Sequence, residues 1–331
     1  GGSAAVEAAV KALTARGELL ELSLNMNPIG PHGVRCLREA MQRGGGGLPY
    51  LQHLDLMDCG LGIGGALQLA DLLRDPAAAT LQGLNLGSNG VGAEGAQALA
   101  ETLPRSLRSL HLEGNAVGDE GVRALAAALP QCSSLQKLGL DQNGIGAEGV
   151  RALAGVLPQC SGLQELHLNS NGDKDKLPHP LQQIEGSKAG AEMARLLADA
   201  LPYCPAVEVL QLDLNGFGSE GVQALAAALP RCPALRAMWL QGNGIGDEGA
   251  QALAAALPRC PSLQELYLGH NRFRDEGVRA LAAALPLCPA LLKLGLWNNE
   301  AGAEAKVAVE AAWAEPLPDG STRQRGLMLG M

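Results

Sequence analysis

Residues 135–163 read LQKLGLDQNGIGAEGVRALAGVLPQCSGL, and this stretch contains two different hydrophobic periods. Leu138 and Leu140 alternate with polar residues, which is typical of a strand with one buried face. Over residues 150–157 the apolar side chains recur at the spacing of an amphipathic helix, and Pro158 ends that helix. The stretch therefore predicts a strand, a short loop, a helix and a return.

The pattern apolar-x-x-apolar-x-apolar-x-x-Asn occurs ten times, most often at a spacing of 28 residues. In the second copy Cys59 stands at the Asn place. The ten repeats begin at Leu19, Leu51, Leu81, Leu107, Leu135, Leu163, Val207, Leu235, Leu263 and Leu291. Ten similar copies predict a solenoid in which each repeat stacks on the next.

The spacing of strands and helices predicts the shape of the stack. Paired strands lie about 4.8 Å apart, whereas packed helices approach no closer than about 8 Å. We therefore expect a single α/β horseshoe solenoid over residues 1–331, with repeats at 19–315, parallel strands on the concave face and helices on the convex face. The repeated Asn is expected to turn inward and hydrogen-bond backbone groups of neighbouring loops.

The repeats resemble leucine-rich repeats of the ribonuclease-inhibitor-like class, over about residues 4–315. The recurring phrase NGIGxEGxxALAxALPxCPxLQ is most similar to the repeats of NACHT-type immune receptors. The resemblance implies the horseshoe fold. Its functional implications diverge, because the class includes ribonuclease inhibitor, Ran GTPase-activating proteins and immune sensors.

Three segments depart from the repeat. Residues 4–16 carry a helix-like pattern without a strand, so we expect an upstream domain or a partner to cover the first layer. A charged and Pro-containing insertion at 172–187 is predicted to be a surface loop, either tolerated without a role or in contact with a partner. In the tail, residues 316–331, Leu327 and Leu329 are predicted to form a final strand.

Composition and charge exclude several classes of protein. The chain has 331 residues and 47% hydrophobic residues, but only 2% are aromatic, so Leu, Ala and Gly must fill the core. A net charge of −9 argues against a nucleic-acid surface, which needs basic residues. We find no apolar stretch of 18 residues and predict no membrane span.

The string GxGxxG occurs five times between a strand and a helix, where a dinucleotide fingerprint would stand. Five copies favour a structural cause. Acidic residues such as Glu94 and Glu148 in the first helical turn would also repel phosphate. We interpret these residues as turn glycines and predict no cofactor.

Six cysteines hold one place in successive repeats, next to the helix stop, and no CxxC pair suggests zinc. They are Cys132, Cys160, Cys204, Cys232, Cys260 and Cys288. We predict small buried apolar residues and, from them, the cytoplasm or another reducing intracellular compartment. Oxidation could link neighbouring copies.

Catalytic and metal sites are not predicted. His53, His111 and His167 are two repeats apart, roughly 10 Å, which is too far to share one metal. Glu113 and Asp141 hold one place in adjacent repeats, about 5 Å apart, a separation that suits a retaining glycosidase. An open sheet does not exclude water or raise one pKa. We therefore interpret the two carboxylates as a solvated acidic patch.

The inward strand places predict a binding surface. Trp239 and Tyr267 are expected to be neighbours about 5 Å apart, with Trp297 one or two repeats further. Exposed Trp and Tyr side chains are effective partner anchors. The alternatives are chance placement and stacking of these rings on one another.

Charged residues extend the predicted surface. Arg272 and Arg274 replace turn glycines beside Tyr267 and His270. Arg274 is expected to lose backbone freedom there, which suggests a side-chain use, although a solvent-facing turn is the alternative. A separate acidic strip is expected to meet basic residues of the partner and speed encounter. It consists of Glu113, Asp141 and Asp213.

The sequence thus predicts a non-catalytic scaffold or sensor that binds a protein partner on its concave face. The alternative is a Ran-type GTPase-activating protein. That resemblance implies an arginine or asparagine on a loop edge, for which Arg272 qualifies only by its loop setting, and the family's acidic tail is missing from residues 316–331. Ribonuclease inhibition fits the acidic charge, but not the regular single repeat type or the modest cysteine content.

Overall fold

The computed structural model describes residue 8, residues 19–43, 50–172 and 186–316, residue 322 and residues 326–329. The predicted helix at 4–16 and the predicted insertion at 172–187 fall largely outside the described residues, as does most of the tail at 316–331. The chain divides into two compact units, residues 1–145 with 159–163, and residues 146–158 with 164–331.

The first unit contains five described strands that pair in parallel and in chain order. They are β1 (Glu21–Ser23), β2 (His53–Asp55), β3 (Gly83–Asn85), β4 (Ser109–His111) and β5 (Lys137–Gly139). Four described helices alternate with them: α1 (Gly30–Arg43), α2 (Gly62–Leu73), α3 (Gly92–Ala100) and α4 (Gly118–Ala128).

The second unit repeats this arrangement with six described strands. They are β6 (Glu165–His167), β7 (Val209–Gln211), β8 (Ala237–Trp239), β9 (Glu265–Tyr267), β10 (Lys293–Gly295) and β11 (Leu327–Met328). The described helices are α5 (Ala147–Val156), α6 (Lys188–Ala200), α7 (Gly218–Ala228), α8 (Asp247–Ala256), α9 (Asp275–Ala284) and α10 (Ala303–Ala314).

Each repeat folds as its two hydrophobic periods predict. In repeat four, Leu110 and Leu112 of the strand segment and Val122 and Leu125 of α4 are all at most 1% exposed. Alternation buries one side of the strand, and the three-to-four spacing buries one side of the helix, so both contribute to one core. The predicted strand at Leu327 is also confirmed, because β11 pairs with β10.

In six of the described repeats, the proline after the helix lies in a three-residue 3-10 turn. In repeat five α5 ends at Val156, and Leu157–Gln159 forms the turn, with Leu157 buried. The same turn follows α4 and α6–α9, at Leu129–Gln131, Leu201–Tyr203, Leu229–Arg231, Leu257–Arg259 and Leu285–Leu287. Proline suits the start of such a turn, because its missing N–H would have no partner there.

The glycines of the five GxGxxG strings are structural. The first glycine has a left-handed backbone, as in Gly90 and Gly244 with φ of 65° and 68°, where other residues are strained. The last glycine allows neighbouring helices to approach closely: a methyl group at Gly95 would lie 2.7 Å from the Cβ of Ala66. The interpretation as turn glycines is confirmed, and close helix packing is a second role.

The repeated asparagine joins consecutive repeats, as predicted. Asn115 is fully buried. Its Oδ1 accepts hydrogen bonds from the N–H groups of Asn89 and Val91 at 3.0 and 3.1 Å. Its Nδ2 donates to the carbonyls of Leu86 and Leu112 at 2.8 and 2.9 Å. One amide thus satisfies four backbone groups, in its own repeat and in the preceding one.

Cys59 takes over part of this role in repeat two. Its Sγ lies 3.1 Å from the carbonyl oxygen of Leu24, in the repeat before. Asn89 donates to Leu56 in the corresponding way. A thiol has one weak donor where the amide has two strong ones, so the join between the first two repeats is the poorer one.

We predict that Asn115→Ala lowers the free energy of unfolding by about 3 kcal/mol, because it leaves buried backbone groups of two repeats without partners. The matched control is Asn25→Ala, which removes an exposed asparagine and should change stability by less than about 0.5 kcal/mol. Urea unfolding followed by circular dichroism measures both. Equal effects of the two substitutions would contradict the joining role.

Candidate functional site

In each repeat, three places of the strand segment face away from the helices. The fourth and sixth places, such as Met238 and Leu240 in repeat eight, are buried, so the third, fifth and seventh places lie on the opposite side. We call the surface formed by these three places the strand face. The strands pair in register, for example Gln211 with Trp239 and Trp239 with Tyr267, so equal places form rows within each unit.

Three aromatic residues form a cluster on the strand face of the second unit. The rings of Trp239 and Tyr267 stack, with centroids 5.3 Å apart and planes 17° from parallel. Trp297 meets Tyr267 edge to face at 6.2 Å and 63°. All three side chains are half-buried. The predicted neighbours at about 5 Å are confirmed, and we call the three residues the aromatic cluster.

Two glycines determine where Trp297 lies. A methyl group at Gly269 would lie 2.5 Å from Cε2 of Trp297, and one at Gly295 would overlap its six-membered ring. The indole therefore lies over the backbone of two strands and reaches Tyr267. Sequence reasoning missed this role, although the signal was present as glycines at inward places beside an aromatic residue.

A charged pair supports Tyr267. The Tyr267 hydroxyl donates to Oε2 of Glu265 at 3.1 Å, and Nζ of Lys293 donates to Oε1 at 2.8 Å. Burial first, and then the Glu265 carboxylate, raise the pKa of the Tyr267 hydroxyl. The hydrogen bond to Glu265 raises the pKa of Lys293. Neither Glu265 nor Lys293 was predicted as a site residue. Their hydrogen-bond partners depend on the direction of their side chains, which the sequence does not show.

The loop of repeat nine holds His270, Arg272 and Arg274. His270 has a left-handed φ of 54°, and its Nε2 lies 3.2 Å from Nδ2 of Asn298. Arg272 is half-buried, and its backbone N–H donates to the carbonyl of Ile245 at 2.8 Å. The exposed Arg274 donates from Nε to Glu300 at 3.3 Å.

The predicted loss of backbone freedom at Arg274 is wrong. Arg274 has φ −98° and ψ −167°, and Gly246, at the same place in the preceding repeat, has φ −94° and ψ −170°. Both are extended conformations that any residue adopts. Replacing glycine there costs no strain, so the sequence change itself does not indicate a use for the side chain.

The predicted acidic residues have separate surroundings. Glu113 lies in the first unit, leans over Gly139 and places Oε1 2.9 Å from Nδ1 of His111. Asp141, in the same unit, is half-buried. In the second unit, Asp213 accepts from the N–H and Nε2 of Gln241 at 2.7 and 3.0 Å.

The sequence match identifies the family of this chain. A family model described as Leucine Rich repeat matches seven segments that together make up half of the chain, at residues 47–70, 77–100, 104–126, 131–154, 203–226, 232–254 and 259–282. The chain belongs to the leucine-rich repeat family. None of the curated proteins compared with this chain matches it.

Three solved structures are similar to this chain to different degrees. An internalin from Listeria monocytogenes is 16% identical with a TM-score of 0.53, over 98% of this chain and 88% of that one. The tropomodulin C-terminal domain of Caenorhabditis elegans is 17% identical with a TM-score of 0.39, over 49% of this chain and 90% of that one. Leiomodin-1 actin-binding site 2 is 19% identical with a TM-score of 0.36, over 50% and 86%. The internalin similarity supports the fold alone.

The described part of this leucine-rich repeat chain holds no group of three or more His, Cys, Asp or Glu side chains arranged for a metal ion. Within the same residues, no helix combines the length and the apolar character that crossing a bilayer requires. The two findings concern only the described ranges.

The repeated cysteines lie beside the helix ends, as predicted. Burial raises the pKa of Cys160, Cys232 and Cys260 to about 11. The Sγ of Cys260 lies 3.3 Å from the carbonyl oxygen of Ala256, one turn earlier. Cys232 and Cys260 are not fully buried, so the prediction of buried residues holds for four of the six.

We predict that Gly295→Ala displaces the Trp297 ring and lowers stability by about 1–3 kcal/mol, the usual cost of overpacking. The matched control is Gly87→Ala on the strand face of the first unit, where the nearest atoms to an added methyl lie 3.4–3.6 Å away. The indole N–H resonance of Trp297 and the urea midpoint report the change. An unshifted indole resonance would show that the glycines do not position the ring.

We predict slow alkylation of Cys160, Cys232 and Cys260 at pH 8, because a pKa of about 11 leaves little thiolate. An exposed cysteine introduced by Gly155→Cys should react at least about tenfold faster, and the difference should shrink as the pH rises toward 11. Iodoacetamide labelling followed by peptide mass spectrometry gives the rates. Equal rates at pH 8 would refute the burial effect.

Proposed function

We propose that this leucine-rich repeat chain is a non-catalytic interaction module that binds a protein partner on its strand face. The aromatic cluster is the observation that carries the proposal. The chain has only eight aromatic residues, and three of them are half-buried and in contact on one surface. Rings held in place by stacking lose little freedom when they bind, which is why Trp and Tyr are effective anchors.

The surroundings of the cluster support a role in binding. His270, Arg272 and Arg274 line the adjoining loop, and Arg274 is exposed. Polar groups around an aromatic centre are typical of an interface rim, where they supply hydrogen bonds and orientation. We assign the partner's main contact to the aromatic cluster and a rim contact to the loop.

Acidic residues supply the second part of the proposal. The strand-face places of repeats one to five carry four carboxylates and one lysine: Glu21, Asp55, Glu113, Asp141 and Lys137. A surface of one sign attracts a partner of the opposite sign and speeds encounter. Glu113 and Asp141 in the first unit, and separately Asp213 in the second, favour a partner with basic residues.

The alternative, a Ran-type GTPase-activating protein, gains no specific support. That resemblance needs an arginine or asparagine available at a loop edge. Arg272 is half-buried, and Arg274 bonds to Glu300. We propose a reducing intracellular compartment for the module, because several cysteines at equivalent places would be at risk of linkage in an oxidising one.

We predict that Trp239→Ala combined with Trp297→Ala weakens partner binding by at least about 1 kcal/mol, or about fivefold in Kd, because both rings lose their contact area. The partner is first captured with the intact chain, and its affinity is then measured by calorimetry. The matched control is Tyr50→Ala with Tyr203→Ala, which removes two exposed aromatic side chains at 57% and 63% exposure.

Neither Tyr50 nor Tyr203 belongs to the strand face, so the control should leave the affinity unchanged. If both double variants bind equally well, the partner does not use the aromatic cluster and the proposed surface is wrong. Circular dichroism of each variant confirms that the repeats remain folded.

A further inference from the structure

We propose that the strand face of the second unit seats an arginine side chain of the protein partner, stacked on Trp239 and paired with the carboxylate of Asp213. This inference rests on the proposed function, since it names the chemistry that the partner presents. It follows from three features of the described residues: one ring face, one positioned carboxylate and the sign of the surrounding charge.

The ring of Trp239 has different neighbours on its two sides. Tyr267 of β9 stacks on one side at 5.3 Å. On the other side, the register places Gln211 of β7 directly beside Trp239. The Gln211 side chain is drawn away, because its Oε1 accepts from Nδ2 of Asn169 at 2.9 Å, one repeat further from the ring. Trp239 is partly exposed, and we take the β7 side of its indole as the face that the partner meets.

The carboxylate of Asp213 is held next to that face. Gln211 pairs with Trp239 across the two strands. Asp213 stands two residues after Gln211, and Gln241 stands two residues after Trp239, so Asp213 and Gln241 are also neighbours. Gln241 donates to both carboxylate oxygens, from its N–H at 2.7 Å and from Nε2 at 3.0 Å. Two hydrogen bonds fix the carboxylate relative to the strand that carries the ring.

The charge of the surface selects a cation. In repeats six to ten the ionised strand-face side chains are Glu165, Asp213, Glu265 and Lys293. Lys293 bonds to Glu265 at 2.8 Å. With three carboxylates and one ammonium group, the strand-face side chains of these repeats carry a net negative charge, which favours a cation over an anion or a neutral group at Trp239.

Arginine fits this seat better than lysine. Its planar guanidinium stacks on an indole face and presents a fork of N–H donors that matches a carboxylate. An ammonium group is compact and strongly hydrated, and it cannot stack in this way. The seat thus combines a cation–π contact with a charge-assisted hydrogen bond, and both need the same planar cation.

The experiment titrates the full chain with the peptide acetyl-Gly-Arg-Gly-amide and with its twin containing citrulline, the neutral counterpart of arginine. The three indole N–H resonances, of Trp239, Trp297 and the buried Trp313, are followed by NMR at constant ionic strength. We expect the arginine peptide to shift the Trp239 resonance with saturation and to leave Trp313 in place. The citrulline twin should bind at least about fivefold more weakly.

A charge-matched pair of variants tests the carboxylate. Asp213→Asn should weaken the arginine peptide about threefold to tenfold. Glu248→Gln, which makes the same charge change on an exposed part of α8, should leave its affinity within about twofold. Equal binding of the citrulline twin, equal effects of the two variants, or preferential binding of a neutral oligosaccharide such as cellohexaose would overturn the proposal. The citrulline comparison uses the unaltered chain and does not depend on the folding of a variant.

Failure of this inference differs from failure of the proposed function. If the aromatic double variant loses the partner but the arginine peptide does not shift Trp239, the module binds through its cluster and the arginine seat is wrong. If the partner is indifferent to the aromatic double variant, the proposed function is wrong. Loss of the partner with Asp213→Asn but not with Glu248→Gln would support both.

Discussion

From repeat three to repeat ten, one asparagine amide per repeat satisfies the backbone at the bend after the strand, and the stack depends on it. Asn115 accepts from two N–H groups of the preceding repeat and donates to carbonyls on both sides of the junction. Buried backbone groups without partners would otherwise oppose stacking. Because one amide bonds to its own repeat and to the preceding one, the asparagine fixes the register between strands, and the register places side chains in rows.

Small residues determine how closely neighbouring helices pack. Gly95 lies against Ala66, and Gly221 lies against Ala194, with no room for a larger side chain at either helix contact. A core of Leu, Ala and Gly explains why only 2% of the chain is aromatic. Aromatic residues are therefore not needed for packing in most repeats, and a cluster of three on the strand face has to be explained by something other than the core.

Periodicity predicts what repeats, and it does not predict what a single side chain does. The order of strands and helices, the buried asparagines and the contact between Trp239 and Tyr267 all follow from the motif. Other features depend on side-chain rotamers and on glycines that leave space. Trp297 lies over Gly269 and Gly295 for this reason. The hydrogen bonds of Glu265 to Tyr267 and Lys293 likewise depend on rotamers. The expectation for Arg274 failed for a related reason, since a glycine in a sequence pattern does not reveal whether its φ is positive.

At the candidate site, the residues that hold the fold together differ from the residues proposed to bind a partner. Trp239 and Asp213 stand at places whose residue type varies between repeats, whereas the fourth and sixth places are apolar in all ten repeats, so the identity of Trp239 and Asp213 is not required by the repeat. Both are nevertheless positioned by it, Trp239 through strand pairing and Asp213 through Gln241 on the neighbouring strand. A ring and a charge held by backbone register need little reorganisation on binding. Specificity in this fold can therefore arise from substitutions at a few row positions without any change in the stack.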